Sequence, residues 1–269
     1  MKDPIYYAIG DVHGRLDHLE KMIEFIEADA KYWNGRPVIY FLGDIVDRGT
    51  RSRECLELVH QTLEKHEGSR LHLGNHDDWF LGAVRSQGLG RDVYDWEQNG
   101  GTMTAHSFYP ELKMKDALVA IGANYPHLIR MIASAYPITS HGRIVFCHAG
   151  VDRFAPIDEQ DKDVLTWIRR PFLEIANATD HVVVHGHTIF ENGPIVTDNR
   201  ISLDTGCFRT NRLSAVRLDP KRRTMDFIVT SDSGRMVEVD EAHPRLLQRA
   251  FGTALDRLDE IFDNWTDAR

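Results

Sequence analysis

The chain has 269 residues and a formal net charge of −9; 42% of its residues are hydrophobic and 27% are charged. This length can bury a sizeable core as one large α/β domain or two small ones, and no apolar run approaches the roughly 20 residues that cross a bilayer. The acidic balance argues against tracking an extended nucleic acid, where Lys and Arg contacts to phosphate dominate affinity.

IYYAIG at 5–10 reads as a buried strand ended by Gly10. The start MKDPIYYAIGD has no signal-peptide layout, because Asp11 interrupts its apolar segment. Over 16–29, Leu16, Leu19, Met22, Ile23 and Ile26 recur at helical spacing. RPVIYFLGD (36–44) is a second strand, SRECLELVHQTLEKH (52–66) a second helix, and RLHLGNHDD (70–78) a third strand ended by Gly74. This alternation predicts βαβ units and a largely parallel sheet.

Residues 80–140, with SQGLGRD, QNGGT and HLIRMIASA, predict a helical insertion over one end of the sheet. From Arg143 the strands return as RIVFCHAG, HVVVHGH, PIVTDNRISLD, LSAVRLD and TMDFIVT, close enough together for hairpins and antiparallel pairing. Residues 241–262 predict a closing amphipathic helix. No repeat or flexible linker interrupts the chain, so one domain over 1–269 is the expectation. Cys55, Cys147 and Cys207 are few, odd in number and widely spaced. That fits a reducing compartment, and a cytoplasmic location is expected.

The strand ends share one chemistry. GDVHG offers Asp11 and His13; GDIVDRG offers Asp44, Asp47 and Arg48; GNHD offers Asn75 and His76; CHAG offers His148; HGH offers His185 and His187. Ligands of open α/β sheets bind beyond the carboxyl ends of the strands, so these groups can converge. Carboxylate and amide oxygens mixed with imidazoles suit Mn, Fe or Zn better than Ca. Two such ions sharing a carboxylate bind phosphoryl oxygens and generate a strong nucleophile from water at neutral pH. Gly10, Gly43 and Gly74 stand just before the candidate ligands, where the backbone must turn and leave space. Each piece alone has a plainer reading. Asp-x-His is usually a turn, GNHD is compatible with an Asn turn, and His148 with a satisfied core histidine. Five pieces at five strand ends favour the metal site.

GDVHG, GDIVDRG, GNHD, HAG and GHT, in this order over residues 10–188, resemble the calcineurin-like metallophosphoesterases. More narrowly they resemble the PPP-type bacterial and phage serine/threonine protein phosphatases, with DRG the most informative element. NGGT (99–102) and WIRRPFL (167–173) also look like the bacterial members. The implied fold is α/β: a β-sandwich of mixed sheets flanked by helices, with an inserted helical cap and a C-terminal helix. The resemblance implies that Asp11 and His13 hold one ion, Asp44 bridges, and Asn75, His148 and His187 complete the second. Mn is the expected metal, with Fe and Zn as the others. His76 would be the general acid oriented by Asp47, and Arg48 would bind phosphate with help from Arg169 or its neighbour Arg170.

The implied activity is a dinuclear-metal-dependent phosphomonoester hydrolysis, by attack of a metal-bound hydroxide on phosphoserine or phosphothreonine in proteins. The alternative is a hydrolase of diadenosine polyphosphates or nucleotide caps, which shares the metal site. The partner is then a phosphoprotein or a small phosphoester, with no membrane. A binding protein that has lost activity is disfavoured, because every one of these groups is present. His185 reads as a non-ligand at the strand end, Asp77 and Asp78 as capping or supporting carboxylates, and Cys147 as an inert core thiol. His18, His60, His66 and His72 read as decoration of helix and strand faces, and PKRRT (220–224) as a solvated turn.

Overall fold

The computed structural model describes residues 2–174, 180–231, 236–239 and 254–268. Its two sheets follow from period-two alternation. Strands β1 (Pro4–Ile9) and β2 (Arg36–Phe41) pair in parallel, with Tyr7 opposite Ile39. Successive side chains leave opposite faces. Ile5, Tyr7, Ile9, Ile39 and Phe41 bury against helices α1 (Leu16–Tyr32) and α2 (Ser52–Lys65). Tyr6, Ala8, Val38, Tyr40 and Leu42 bury against a second sheet. Both faces are covered, which is why these strands read as continuous apolar runs.

The first sheet also contains β3 (Arg70–Leu71), and later in the chain β9 (Ser214–Asp219), β10 (Thr224–Thr230) and β11 (Met236–Val239). Its order is β11-β10-β9-β1-β2-β3, parallel from β1 to β3 and antiparallel beyond β1 on the other side. The second sheet comprises β4 (Ile138–His141), β5 (Ile144–Cys147), β6 (Val182–His185), β7 (Ile195–Val196) and β8 (Arg200–Ser202). Its order is β4-β5-β6-β8-β7, with β5, β6 and β8 parallel. Ile144, Phe146, Val182, Val184 and Ile201 fill the space between the sheets. On the outer face Val145, Cys147 and Val183 pack with Phe172 and with Leu165 of α8 (Lys162–Trp167). The result is the expected arrangement of two mixed sheets flanked by helices.

Several elements depart from the expectation. The third strand is only two residues long; Leu73 N–H bonds Tyr136 O instead of continuing the ladder, and helix α3 (Asn75–Arg85) begins directly after Gly74. The insertion continues as α4 (Arg91–Trp96), α5 (Thr102–Phe108), α6 (Met114–Asn124) and α7 (Pro126–Ala133). It packs on α2 and α3 and shares their core, its α4–α5 turn reaches the loop after β2, where Gly100 O accepts Arg48 N–H, and β4 leaves it to join the second sheet. PIVTDNRISLD folds as the β7–β8 hairpin, not one strand. Of the expected closing helix over 241–262, residues 241–253 lie outside the described residues. A short 3₁₀ turn (Ala254–Arg257) and helix α9 (Leu258–Asp263) follow, with Ile261 and Phe262 packed on the inter-sheet core. His18 and His72 are buried, not decoration: His18 Nδ1 meets Thr230 Oγ1, and His72 bonds Phe41 O and Thr139 Oγ1. Among the described residues no helix is long and apolar enough to cross a membrane.

Candidate metal and phosphate site

The loops after β1, β2, β5, β6 and β8 converge, bringing Asp11, His13, Asp44, Asp47, His148, His187 and Asp204 together as buried groups. Their backbones are unusual. His13, Asp44, Asp47, Arg48 and His187 all have φ between 47° and 71°. Such left-handed non-glycine conformations cost on the order of 1 kcal/mol or more each, and they gather at functional sites. Each places its side chain inward from a tight turn.

His13 Nδ1–H donates to Val46 O (2.8 Å), and His148 Nδ1–H donates to Leu42 O (2.7 Å). These bonds assign the tautomers and leave both Nε2 lone pairs facing Asp44 Oδ2, at 3.6 and 3.5 Å. Fixing the far nitrogen in this way orients an imidazole for a cation. Asn75 Oδ1 lies 3.0 Å from His148 Nε2 and 2.9 Å from His187 Nδ1. His187 Nε2 is buried with no hydrogen-bond partner among the described residues. Gly74 leaves the space this arrangement needs, since a Cβ there would stand 2.2 Å from Asp44 Oδ1.

Two groups have ligand atoms within 4.8 Å of one another: His13, Asp44 and His76, and Asp44, His148 and His187. Asp44 is common to both, so the donor set fits two cations sharing one carboxylate. Burial pushes the Asp44 carboxyl up, but the rings of His148, His76, His13 and His187 outweigh it and hold it below the ordinary range. Burial lowers His187 to about 2, with His148 adding to the effect. Burial favours the unprotonated form of His13, His148 and His187, the form in which an imidazole binds a cation.

Asp11 stands slightly apart, its carboxylate accepting His187 N–H at 3.1 Å. Burial, with Asp204 and Asp44 nearby, drives it well above the ordinary range. Asp204 was missed in the sequence, although SLDTG repeats the apolar-run-then-Asp signal. It is buried, its Oδ1 accepts Gly206 N–H (2.8 Å), and its Oδ2 has no hydrogen-bond partner among the described residues.

His76 Nδ1–H donates to Asp47 Oδ2 at 2.7 Å, and His76 N–H donates to Asp44 Oδ1 at 2.9 Å. Burial pulls the His76 ring down, but the Asp44 and Asp47 carboxylates outweigh it and raise it. Arg48 spreads its fork over the site, donating to His13 Nε2 and His76 Nε2, both at 2.9 Å. Arg169 is near enough for its charge to act on His148 and His187. Arg170 is turned away into an exposed ion pair with Glu174 (2.8 Å). His185 is fully occupied by Ser202 Oγ and Gly186 O. Asp77 accepts Ile45 N–H (3.0 Å) and Gly74 N–H (3.3 Å), tying the turn at the end of β2 to the start of α3; Asp78 pairs with Lys162. The three cysteines are free and buried. In the 220–224 turn Lys221, Arg222 and Arg223 are each ion-paired with Asp3, Asp219 and Asp259 respectively.

An aromatic rim, also missed in the sequence, borders the cluster. Trp79 lies 5.4 Å from the His76 ring, Trp167 lies 5.9 Å from His187, and the two indoles meet edge to face at 4.8 Å. Trp167 is 36% exposed, so one part of the rim is open to a ligand. On the other side Phe208 packs beneath the Arg48 guanidinium at 4.7 Å.

A family model described as calcineurin-like phosphoesterase matches residues 6–221. Curated relatives include the bis(5'-nucleosyl)-tetraphosphatase PrpE [asymmetrical] of Bacillus cereus (strain 03BB102), 26% identical over 240 residues, covering 79% of this chain and 89% of the relative. The protein of the same name from Anoxybacillus flavithermus (strain DSM 21510 / WK1) is 27% identical, covering 79% and 90%. Among solved structures, a cold-active protein-tyrosine phosphatase of a psychrophile Shewanella sp. superposes with TM-score 0.52 at 19% identity, covering 89% of this chain and 83% of that one. Hypothetical protein PH1004 from Pyrococcus horikoshii OT3 gives TM-score 0.53 at 15% identity, covering 97% and 96%. These superpositions show a shared fold.

Proposed function

Since this chain belongs to the calcineurin-like phosphoesterase family, we propose that it is a two-metal hydrolase of dinucleoside polyphosphates. This reverses the order of preference drawn from the sequence, where the phosphoprotein came first. What supports the reversal is the match to bis(5'-nucleosyl)-tetraphosphatases along 79% of the chain. The open Trp167 edge beside Trp79 adds to it, because base–indole stacking contributes on the order of 1–3 kcal/mol per base.

In this reading Asp11, His13 and Asp44 would hold one ion, and Asp44, Asn75, His148 and His187 the other, with Mn the proposed metal. Bound divalent ions supply positive charge against the phosphoryl oxygens and acidify the attacking water. The chain's own residues do the rest. Arg48 and Arg169 clamp the phosphoryl oxygens, and a guanidinium fork suits that geometry. Substrate oxygens take over the bonds that Arg48 makes to His13 and His76. That frees His76 Nε2 to carry a proton and pass it to the leaving oxygen, while Asp47 holds Nδ1–H and fixes the ring.

The second reading is a phosphoprotein phosphatase. The His76–Asp47 pair favours it, because an alkoxide leaving group needs a proton more than a nucleotide does. The deciding experiment measures kcat/KM with Mn on diadenosine tetraphosphate and on a phosphothreonine peptide free of aromatic residues. The dinucleotide is expected to win by at least about tenfold, and Trp167→Ala to raise its KM about tenfold with little effect on the peptide. A preference for the peptide would overturn the dinucleotide reading in favour of the second.

A further inference from the structure

The NGGT element lies far from the strand ends in sequence, yet its surroundings reach the centre of the site. Asp47 has no exposed surface, and three side chains orient its carboxylate. His76 Nδ1–H donates to Oδ2 (2.7 Å) and Trp96 Nε1–H points between the two oxygens (2.9 and 3.0 Å). Thr104 Oγ1–H donates to Oδ1 (2.7 Å), and the same hydroxyl accepts Asp47 N–H (2.8 Å). Trp96 and Thr104 are themselves fully buried. An indole is only a donor and must find a partner when buried; here the partner is the acidic member of the His–Asp pair.

Both residues belong to the inserted helices, Trp96 at the end of α4 and Thr104 in α5. The turn between them carries the two glycines. Gly100, at φ 108°, accepts Arg48 N–H at 3.3 Å, and Gly101 lies against the Trp96 ring. Asp47 and Arg48, both left-handed at φ 71° and 66°, are thus held from the insertion side.

We propose that Trp96 and Thr104 are positioning residues: they set the angle of the Asp47 carboxylate and, through it, the aim of the His76 ring, so that protonation of the leaving oxygen depends on the inserted helices. The proposal rests on His76 as proton donor and holds for either substrate class. A residue that only supports the fold slows all substrates alike. One that aims the acid slows only those whose leaving group needs a proton.

The test compares kcat of the Mn-loaded full chain on phenyl phosphate, a poor leaving group, and p-nitrophenyl phosphate, a good one. Trp96→Phe keeps a ring but removes the N–H; Thr104→Val removes the hydroxyl at nearly constant shape. Both are expected to lower kcat on phenyl phosphate about tenfold, within the range that general acid catalysis supplies, and on p-nitrophenyl phosphate less than about twofold. Thr104→Ser keeps the hydroxyl and is expected to hold kcat on phenyl phosphate near that of the parent. An equal fall on both substrates, or no fall on either, overturns the proposal. His76→Asn is the control. If it is leaving-group dependent and the two variants are not, only the positioning role fails. If it is not, the acid assignment and the positioning role fail together.

Discussion

Gly101→Ala sets two magnitudes of opposite sign against each other. Gly101 has φ −60° and ψ −27°, so its backbone suits alanine, and helix propensity alone would favour the change by about 0.8–1.0 kcal/mol. The Trp96 ring decides otherwise. A Cβ at 101 would stand 2.3 Å from Cδ2 and Cε2 and 2.8 Å from Cε3. Carbon atoms are comfortable at about 3.5 Å, so the indole must retreat by about 1 Å inside a closed core. Overpacking of this kind costs about 1–3 kcal/mol. The retreat also stretches the 2.9 Å bond from Trp96 Nε1 to Asp47 Oδ2 past hydrogen-bond range. A buried donor left unsatisfied adds about 1–3 kcal/mol. The net expectation is a loss of about 1–5 kcal/mol, or roughly 2–20 °C in Tm for a chain of this size. Differential scanning calorimetry measures it, and the phenyl to p-nitrophenyl phosphate comparison should show the same selective defect as Trp96→Phe. A Tm equal to or above that of the parent would show that the ring has room the geometry denies, and the reasoning would fail.

The other predictions concern the site and its surroundings. Asp44→Asn should lower Mn-dependent activity by at least about 100-fold, since even outer partners of metal ligands are worth 10–100-fold; isothermal titration with Mn should show weakened binding, and retained tight binding of two ions would refute the shared-carboxylate assignment. Arg169→Ala should reduce kcat/KM by about tenfold or more, the value of a charge-assisted bond, whereas Arg170→Ala should stay within about twofold; the reverse order would exchange their roles. Burial holds His72 down at about 3, against about 6.5 in an unfolded chain. The unfolded chain alone binds this proton as pH falls below 6.5, so the contribution is intact above that pH and is lost between about 6.5 and 3. Urea unfolding of His72→Gln between pH 5.5 and 4.5 should therefore be less steeply pH-dependent than the parent, by about 1 kcal/mol per unit; parallel curves would refute it.

The strand-end groups were legible because two signals coincide there. An apolar run marks where a strand is buried, and a polar residue right after it has no reason of its own to be a ligand until several runs end alike. His13, Asp44, Asn75 and His148 all meet this test. The same logic misread RLHLGNHDD, since periodicity records burial and not a pairing partner. Residues 70–71 pair with β2, His72 N–H still bonds Phe41 O, and Leu73 N–H then turns to Tyr136 O. β4 was hidden for the same reason: Thr139 and His141 are buried polar residues whose partners, Arg70, His72 and Tyr40, lie on other elements. Trp96 is the hardest case. A buried indole in an amphipathic helix looks like core, and Trp96 does pack against Phe80 at 5.9 Å. Only its N–H, invisible to any hydrophobic pattern, ties it to Asp47.

This double character separates two tasks in space. The open rim of Trp79 and Trp167 comes from α3 and α8, and it borders His76 and His187. The clamp of Trp96, Gly100 and Thr104 comes from the α4–α5 segment and reaches Asp47 and Arg48 from beneath. Changes at the rim should alter which leaving group binds, read in KM. Changes at the clamp should alter how readily any leaving group departs, read in kcat on poor leaving groups. The inserted α4–α5 segment would then govern rate, and the rim selectivity. Its polar contacts explain why: Asp47 and Arg48 sit in backbone conformations that cost energy, and a strained turn keeps its geometry only while its neighbours hold it.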